Sequence, residues 1–368
     1  MLKSVLKSFT LSRVLVFLFA SLGYLLLSPV HEGISVPLDE PAPWLLSIWY
    51  QWDANWYMSI ITHGYPWIVD EQSNVAFFPL YPLTVRVIGM LFGERFLLAG
   101  LILSSAFLFG GMVYLYRLVK IDYGDEIARR SIWLMAIFPT SIFFTTLYTE
   151  SLFMMTSVAS FYYARRGRWA MAGLWGLLAS MTRVTGLMLV IPLAWEYFAQ
   201  NSYSLRKAIR PPALWLALIP GGVLLYMSYL YLSMGEPLAF AETQVTGWGH
   251  GFTLFVGSIT GDIDILVEKS EWWVIYELAA AGLLAVLTIF GLKKLRASYT
   301  IYMLTSLLFF LAEGTTKSMS RYLLVVFPVF ILIPMLARKK AAWISVCAIS
   351  LVLLAVSTAA FVTGRWVA

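Results

Sequence analysis

The residues best suited to chemistry stand in a few short polar stretches between long apolar runs. The first is Trp52-Asp53-Ala54-Asn55-Trp56-Tyr57, followed by His63-Gly64-Tyr65-Pro66. Asp53 has aromatic neighbours and no cation close to it in sequence. Such surroundings disfavour the ionised form and can raise a carboxylate's basicity. Placed against a substrate hydroxyl, Asp53 is a general base; placed in water, it is an ordinary loop aspartate. Glu150, in Tyr148-Thr149-Glu150-Ser151, is either a substrate-binding carboxylate or one drawn to the positive end of a helix. Trp52, His63 and His250 are candidates for holding substrate. No close-spaced motif joins the histidines to other ligands, so neither a metal site nor a cofactor is expected.

Three cations form a second group. Arg183 lies in Met181-Thr182-Arg183-Val184-Thr185-Gly186, at a turn between two apolar segments. Lys317 and Arg321 lie in Thr315-Thr316-Lys317-Ser318-Met319-Ser320-Arg321-Tyr322. Charge-assisted bonds from such residues suit the phosphate of a lipid. The competing reading is snorkelling, or pairing with Glu313 or another carboxylate.

The elements that must position these groups are membrane helices. Of 368 residues, 60% are hydrophobic and 12% charged, against roughly 25% charged in a soluble domain. Mean hydropathy is +0.78. Spans of mostly apolar residues are expected at 9–29, 96–117, 131–148, 150–164, 169–182, 184–199, 212–232, 272–292, 298–313, 320–337 and 341–363. The chain thus reads as an all-α, polytopic integral membrane protein of about 11 transmembrane helices. It forms a single domain over 1–368, with long outer loops at 30–95 and 233–271. Lys3 and Lys7 precede the first apolar run and no small-residue cleavage pattern follows it, which predicts a retained first helix. The single cysteine, Cys347, excludes an intramolecular disulfide and a cysteine zinc site.

Charge orients the spans. The basic clusters Lys3/Lys7, Arg117/Lys120/Arg129/Arg130, Arg165/Arg166/Arg168, Arg206/Lys207/Arg210, Lys293/Lys294/Arg296 and Arg338/Lys339/Lys340 fall on every second loop. The positive-inside rule makes those loops cytoplasmic. This accounts for the net charge of +6 without nucleic acid as a partner. From Val14 to Val85 there is no Lys or Arg, yet Glu32, Asp39, Glu40, Asp53, Asp70 and Glu71 are present. From Pro211 to Leu292 the one basic residue is Lys269. Both stretches carry the long outer loops. Residues 76–95, with Pro79, Pro82, Arg86, Glu94 and Arg95, fit an outer-face or re-entrant element better than a span. The tryptophans of the outer loops, among them Trp44, Trp49, Trp67, Trp248 and Trp272, suit either bilayer anchoring or a surface for a lipid or sugar ring.

Several of these segments, in this order, resemble the PIG-V family of mannosyltransferases, within the GT-C class of polyprenyl-phosphate-sugar-dependent glycosyltransferases. They are Trp52-Asp53 with His63-Gly64-Tyr65, and Ala76-Phe77-Phe78-Pro79-Leu80-Tyr81-Pro82. Further along come Phe138-Pro139-Thr140-Ser141-Ile142-Phe143-Phe144 leading to Tyr148-Thr149-Glu150-Ser151, and Thr182-Arg183 with Gly186. Ser320-Arg321-Tyr322-Leu323 is similar to a late GT-C motif. The resemblance implies a GT-C-like fold, an extracytoplasmic site and catalysis by an acid in the first outer loop, the place Asp53 holds. It implies a polyprenyl-phosphate sugar donor, most often mannose, and an inverting single displacement onto a lipid-linked or glycan acceptor. Eukaryotic members often carry still longer loops, so the resemblance points to a prokaryotic plasma membrane, with membrane lipids as the surrounding partners. A lipid or glycolipid flippase is the rival class. It would line a path across the bilayer with charge, whereas the polar residues here gather at the outer rim.

Overall fold

The computed structural model describes residues 1–30, 43–66, 71–249, 251, 253 and 255–367. Glu32, Asp39, Glu40, Trp67, Asp70 and His250 lie outside the described residues. The described secondary structure is helical throughout. The principal helices are α1 (Leu2–Leu26), α2 (Ala54–His63), α3 (Leu80–Leu91), α4 (Phe96–Ala136), α5 (Glu150–Arg165), α6 (Trp169–Thr182), α7 (Val190–Gln200), α8 (Leu218–Met234), α9 (Ala239–Thr246), α10 (Phe255–Lys269), α11 (Trp273–Lys294), α12 (Ala297–Leu311), α13 (Met319–Val325), α14 (Val329–Leu336) and α15 (Lys340–Val362).

Among the described residues, five stretches are long and apolar enough to cross a bilayer: α1, α4, 211–234, α11 and α15. The pair α13 and α14, bent by 86°, is a broken sixth span or a re-entrant loop. The expected spans at 150–164, 169–182, 184–199 and 298–313 appear as shorter helices, α5, α6, α7 and α12. Residues 76–95 hold α3, with Pro82 near its start, where a missing N–H costs nothing. The expected span at 131–148 is not one helix. Gly124 breaks α4 with φ 85°, and the helix ends at Ala136, just before Phe138-Pro139. A tight 3₁₀ turn follows at Ser141–Phe144, and it is wholly buried. The stretch is apolar because protein surrounds it, and hydropathy does not tell protein from lipid.

The chain divides into two compact units. Unit one comprises Met1–Tyr65, Tyr81–Met155 and Ile333–Val367. There α1 packs between α4 and α15. A Cβ added at Gly23 would stand 2.6 Å from Ala359 Cα, so the two backbones meet at a small residue, the usual device where lipid supplies no hydrophobic drive. Unit two comprises Pro66–Leu80 and Thr156–Leu332. Its closest helix pair is α6 with α8, where Gly222 faces the Leu177 carbonyl.

Within each unit, loops expected on one side of the membrane pack together. In unit two, Arg165 and Arg296, from two basic loops, both donate to the buried Glu196 carboxylate, at 3.3 and 2.7 Å. In unit one, Arg130 donates to the Ala337 carbonyl beside another basic cluster. The acid-rich loops of unit two also meet, since Phe77 packs on Trp248 and the Tyr226 hydroxyl donates to Val75 O. Ser73 and Ser298 are buried, so Thr246 and Ser204 are the better labelling positions. In a Cys347→Ser background, Thr246→Cys should react with an impermeant maleimide on intact cells and Ser204→Cys should react after lysis only. Labelling of position 204 from outside would overturn the sidedness.

Candidate functional site

In unit one the candidate groups gather around Asp53. Helix α2 begins directly after it and ends at Gly64, whose φ of 83° lets its N–H close onto Ile60 O. Asp53 occupies the N-cap position, yet its side chain makes no capping hydrogen bond. The preceding residue, Trp52, has φ 54°. A left-handed tryptophan is uncommon and costs on the order of 1–3 kcal/mol, so the surroundings must enforce it. They do. The Tyr148 hydroxyl donates to Gln51 O and accepts from the Asp53 N–H, both at 3.1 Å. One phenol thus spans the strained residue from both sides. Trp366 packs edge-on against Trp52 at 5.2 Å.

The next residues along the turn complete the cluster. The Thr149 and Tyr57 hydroxyls are 3.2 Å apart, and Tyr57 packs edge-on against Tyr81. Tyr81 shares a hydrogen bond of 2.7 Å with Ser104, which donates to Thr146 O. Glu150 opens α5 and is 1% exposed. Thus Asp53 and Trp52 belong to one aromatic and hydroxyl network, and Glu150 follows directly after its member Thr149. His63 does not. It ends α2, about 15 Å along the helix from Asp53 at 1.5 Å per residue, and is exposed, its ring bonded to the Thr62 hydroxyl.

In unit two the cations gather around Tyr322. Arg183 closes α6 in an extended conformation. Gly186 follows because a Cβ there would lie 2.4 Å from Ser180 N, against the backbone of α6. Arg183 and Arg321 both lie over the Tyr322 ring, at 5.5 and 5.9 Å. Arg321 is buried, at 9% exposed. Lys317 stands apart from that pair: it is exposed and lies over the Trp273 ring at 6.0 Å. His250 lies outside the described residues.

Two acidic residues hold the segment between α12 and α13. Asp262 accepts from the Thr315 hydroxyl at 2.9 Å and from both the N–H and hydroxyl of Thr316. Glu277, with no surface exposed, accepts from the N–H and hydroxyl of Ser320 at 2.7 and 3.2 Å. Glu277 escapes the sequence reading although a lone carboxylate in a membrane helix is itself a signal. Glu313 completes the group. Burial pushes its carboxyl up to about 7, against the pull of Arg183, a hydrogen bond from Tyr322, and Arg321.

This all-α membrane fold, with its candidate residues on turns between helices, is GT-C-like. It superposes on the crystal structure of ArnT from Cupriavidus metallidurans bound to undecaprenyl phosphate, with a TM-score of 0.56 at 13% identity, over 93% of this chain and 62% of that one. The chain belongs to the PIG-V mannosyltransferase family, whose model matches residues 2–232. It is 28% identical over 206 residues to GPI alpha-1,6-mannosyltransferase 2 of Rattus norvegicus. It is 29% identical over 173 residues to the protein of the same name from Cricetulus griseus. These matches cover 51% and 44% of this chain, and 41% and 34% of the relatives.

The Glu313 shift has a measurable sign. Its ordinary value is 4.5 and its folded value about 7. Between those values the folded chain keeps a proton that the unfolded chain has lost, so stability falls as pH rises and levels off above about 7. Glu313→Gln removes that slope. Melting curves of the two proteins in detergent should coincide below about pH 4.5 and diverge up to about 7, with the variant the more stable. Parallel curves across the range would show that Glu313 is not held against ionisation.

Proposed function

We propose that the protein transfers a hexose, mannose in keeping with its family, from a polyprenyl-phosphate sugar to an extracytoplasmic lipid-linked or glycan acceptor. The observation that carries this reading is the fixing of Asp53 by Tyr148, in a chain of the PIG-V family. A base must sit within hydrogen-bond reach of the proton it takes, and its backbone is here held on both sides of a strained residue. The undecaprenyl phosphate in the ArnT structure supports a lipid-phosphate donor. So does the location of the candidate groups at a membrane, where the sugar arrives already attached to a lipid.

In this mechanism the Asp53 carboxylate takes the proton of the acceptor hydroxyl. The freed oxygen attacks the anomeric carbon from the face opposite the phosphate. The bond from that carbon to the phosphate oxygen breaks, and the phosphate leaves with the electron pair. Arg183 and Arg321, gathered over Tyr322 within unit two, are suited to the charge of a phosphate. The Trp52 indole N–H is buried with no hydrogen-bond partner among the described residues, which suits it to a sugar hydroxyl. Glu150 binds on the same side as Asp53, and inversion follows from the single displacement. The two long acid-rich loops support a site outside the cytoplasm, in this reading that of a prokaryotic plasma membrane.

The test is transfer of label from polyprenyl-phosphate mannose into the lipid and glycan fractions of membranes carrying the protein. Asp53→Asn keeps the shape and loses the proton acceptor. The rate should fall by about 10²–10⁴-fold, the usual contribution of a general base, with yield and binding of undecaprenyl phosphate retained. Asp53→Glu should also be impaired, because a displacement of about an ångström costs on the order of 10²-fold. A near-normal rate in Asp53→Asn would remove the mechanism.

A further inference from the structure

One buried charge has no part in that mechanism. Arg13 lies in α1 and is 6% exposed. A guanidinium stays protonated in proteins, and one buried in a membrane helix must be compensated by protein groups. Every acceptor it meets among the described residues is neutral. One terminal nitrogen donates to Ala136 O at 2.7 Å. The other donates to Ser141 O at 3.2 Å and to the Thr145 hydroxyl at 2.6 Å. Its Nε donates weakly to the adjacent Ser12 hydroxyl at 3.4 Å. A charge buried against dipoles alone is a poor source of stability, since well-packed apolar residues often serve as well or better. Its value must lie in geometry.

The geometry is specific. The three main acceptors are the end of α4, the 3₁₀ turn and the residue after it. Together they define how the chain reverses between 136 and 145. The Ser141 hydroxyl donates to the same Ala136 carbonyl, at 2.9 Å. Three residues beyond Thr145 stands Tyr148, whose hydroxyl fixes Gln51 and Asp53. A planar fork can address acceptors in several fixed directions at once, which a lysine cannot.

We propose that Arg13 is a positioning residue for Asp53. It sets the 137–149 reversal and thereby the Tyr148 hydroxyl that holds the Asp53 backbone. The inference rests on the reading of Asp53 as the base.

The experiment uses the full chain reconstituted in native-lipid vesicles, with polyprenyl-phosphate mannose as the donor. Arg13→Lys and Tyr148→Phe should each lower the maximal rate, by up to the order of 10²-fold that an ångström of misplacement costs. The donor KM and the binding of undecaprenyl phosphate should not change. Thr145→Val, which removes one acceptor, should give a smaller loss of the same kind. The double variant Arg13→Lys/Tyr148→Phe should be little worse than the poorer single one, because both act through one segment. A wild-type rate in Arg13→Lys overturns the inference, as do multiplying losses in the double variant or a loss seen mainly in donor KM. Asp53→Asn, measured in parallel, keeps the two readings apart. If it is inactive while Arg13→Lys is normal, only the present inference falls. If Asp53→Asn is itself normal, the base assignment falls and takes this inference with it.

Discussion

Backbone that leaves a helix at membrane depth must find its hydrogen-bond partners inside the protein, because lipid offers none. The structure meets this constraint with buried charge. Arg13 supplies donors to two orphan carbonyls, Ala136 and Ser141, where α4 gives way to a turn. In unit two, Asp262 and Glu277 supply acceptors to the orphan N–H groups of Thr316 and Ser320, where α12 gives way to α13. The type of group follows the need: a guanidinium donor for exposed carbonyls, carboxyl acceptors for exposed amides. These two interruptions carry segments of the proposed mechanism, the first leading into Tyr148 and Glu150, the second into Arg321 and Tyr322. Breaking a helix in lipid is expensive, and each break here is answered by a buried side chain with strong donors or acceptors.

The same segments hold backbone outside its comfortable range. Trp52 precedes Asp53 with φ 54°, and Ser318 precedes α13 with φ 70°. Each is embedded in side-chain hydrogen bonds or tight packing that hold it, as over-determined strain at working sites requires. Where helices approach closely, glycine removes the obstacle. Gly186 permits the turn after Arg183 to lie on the backbone of α6, which gives a physical reason for a glycine three residues beyond that arginine.

Much of this was legible in the sequence. The apolar runs of α1, α11 and α15 are long enough to be unmistakable, and the alternation of basic and acidic loops groups segments that pack together within each unit. Asp53, Glu150, Arg183 and Arg321 stand out because each lies at a short polar interruption. The reversal at 137–149 was not legible as such, because its residues are as apolar as a span and hydropathy averages over the helix end that Pro139 marks. Arg13, Glu196 and Glu277 were overlooked for the same reason: single charges vanish into the average of their apolar windows. Most of their partners lie far along the chain, and hydrogen bonds between residues 31 or more positions apart leave no local pattern. The buried state of Ser73 and Ser298 has the same origin.

Glu196 also bears on how the chain is made. Its carboxylate is shared by Arg165, 31 residues earlier, and by Arg296 and Ser298, 100 and 102 residues later. Synthesis runs from the N-terminus, so α5 and α7 enter the membrane as a pair with one cation between them, long before the second arrives. The early pair is a provisional joint, and the arrival of the α11–α12 loop locks it with two further bonds from Arg296 and one from Ser298. Until then the carboxylate has Arg165 and the Gln200 amide, which donates to it at 2.7 Å, as its partners. A chain stalled before that loop holds this carboxylate with fewer donors than the finished fold supplies.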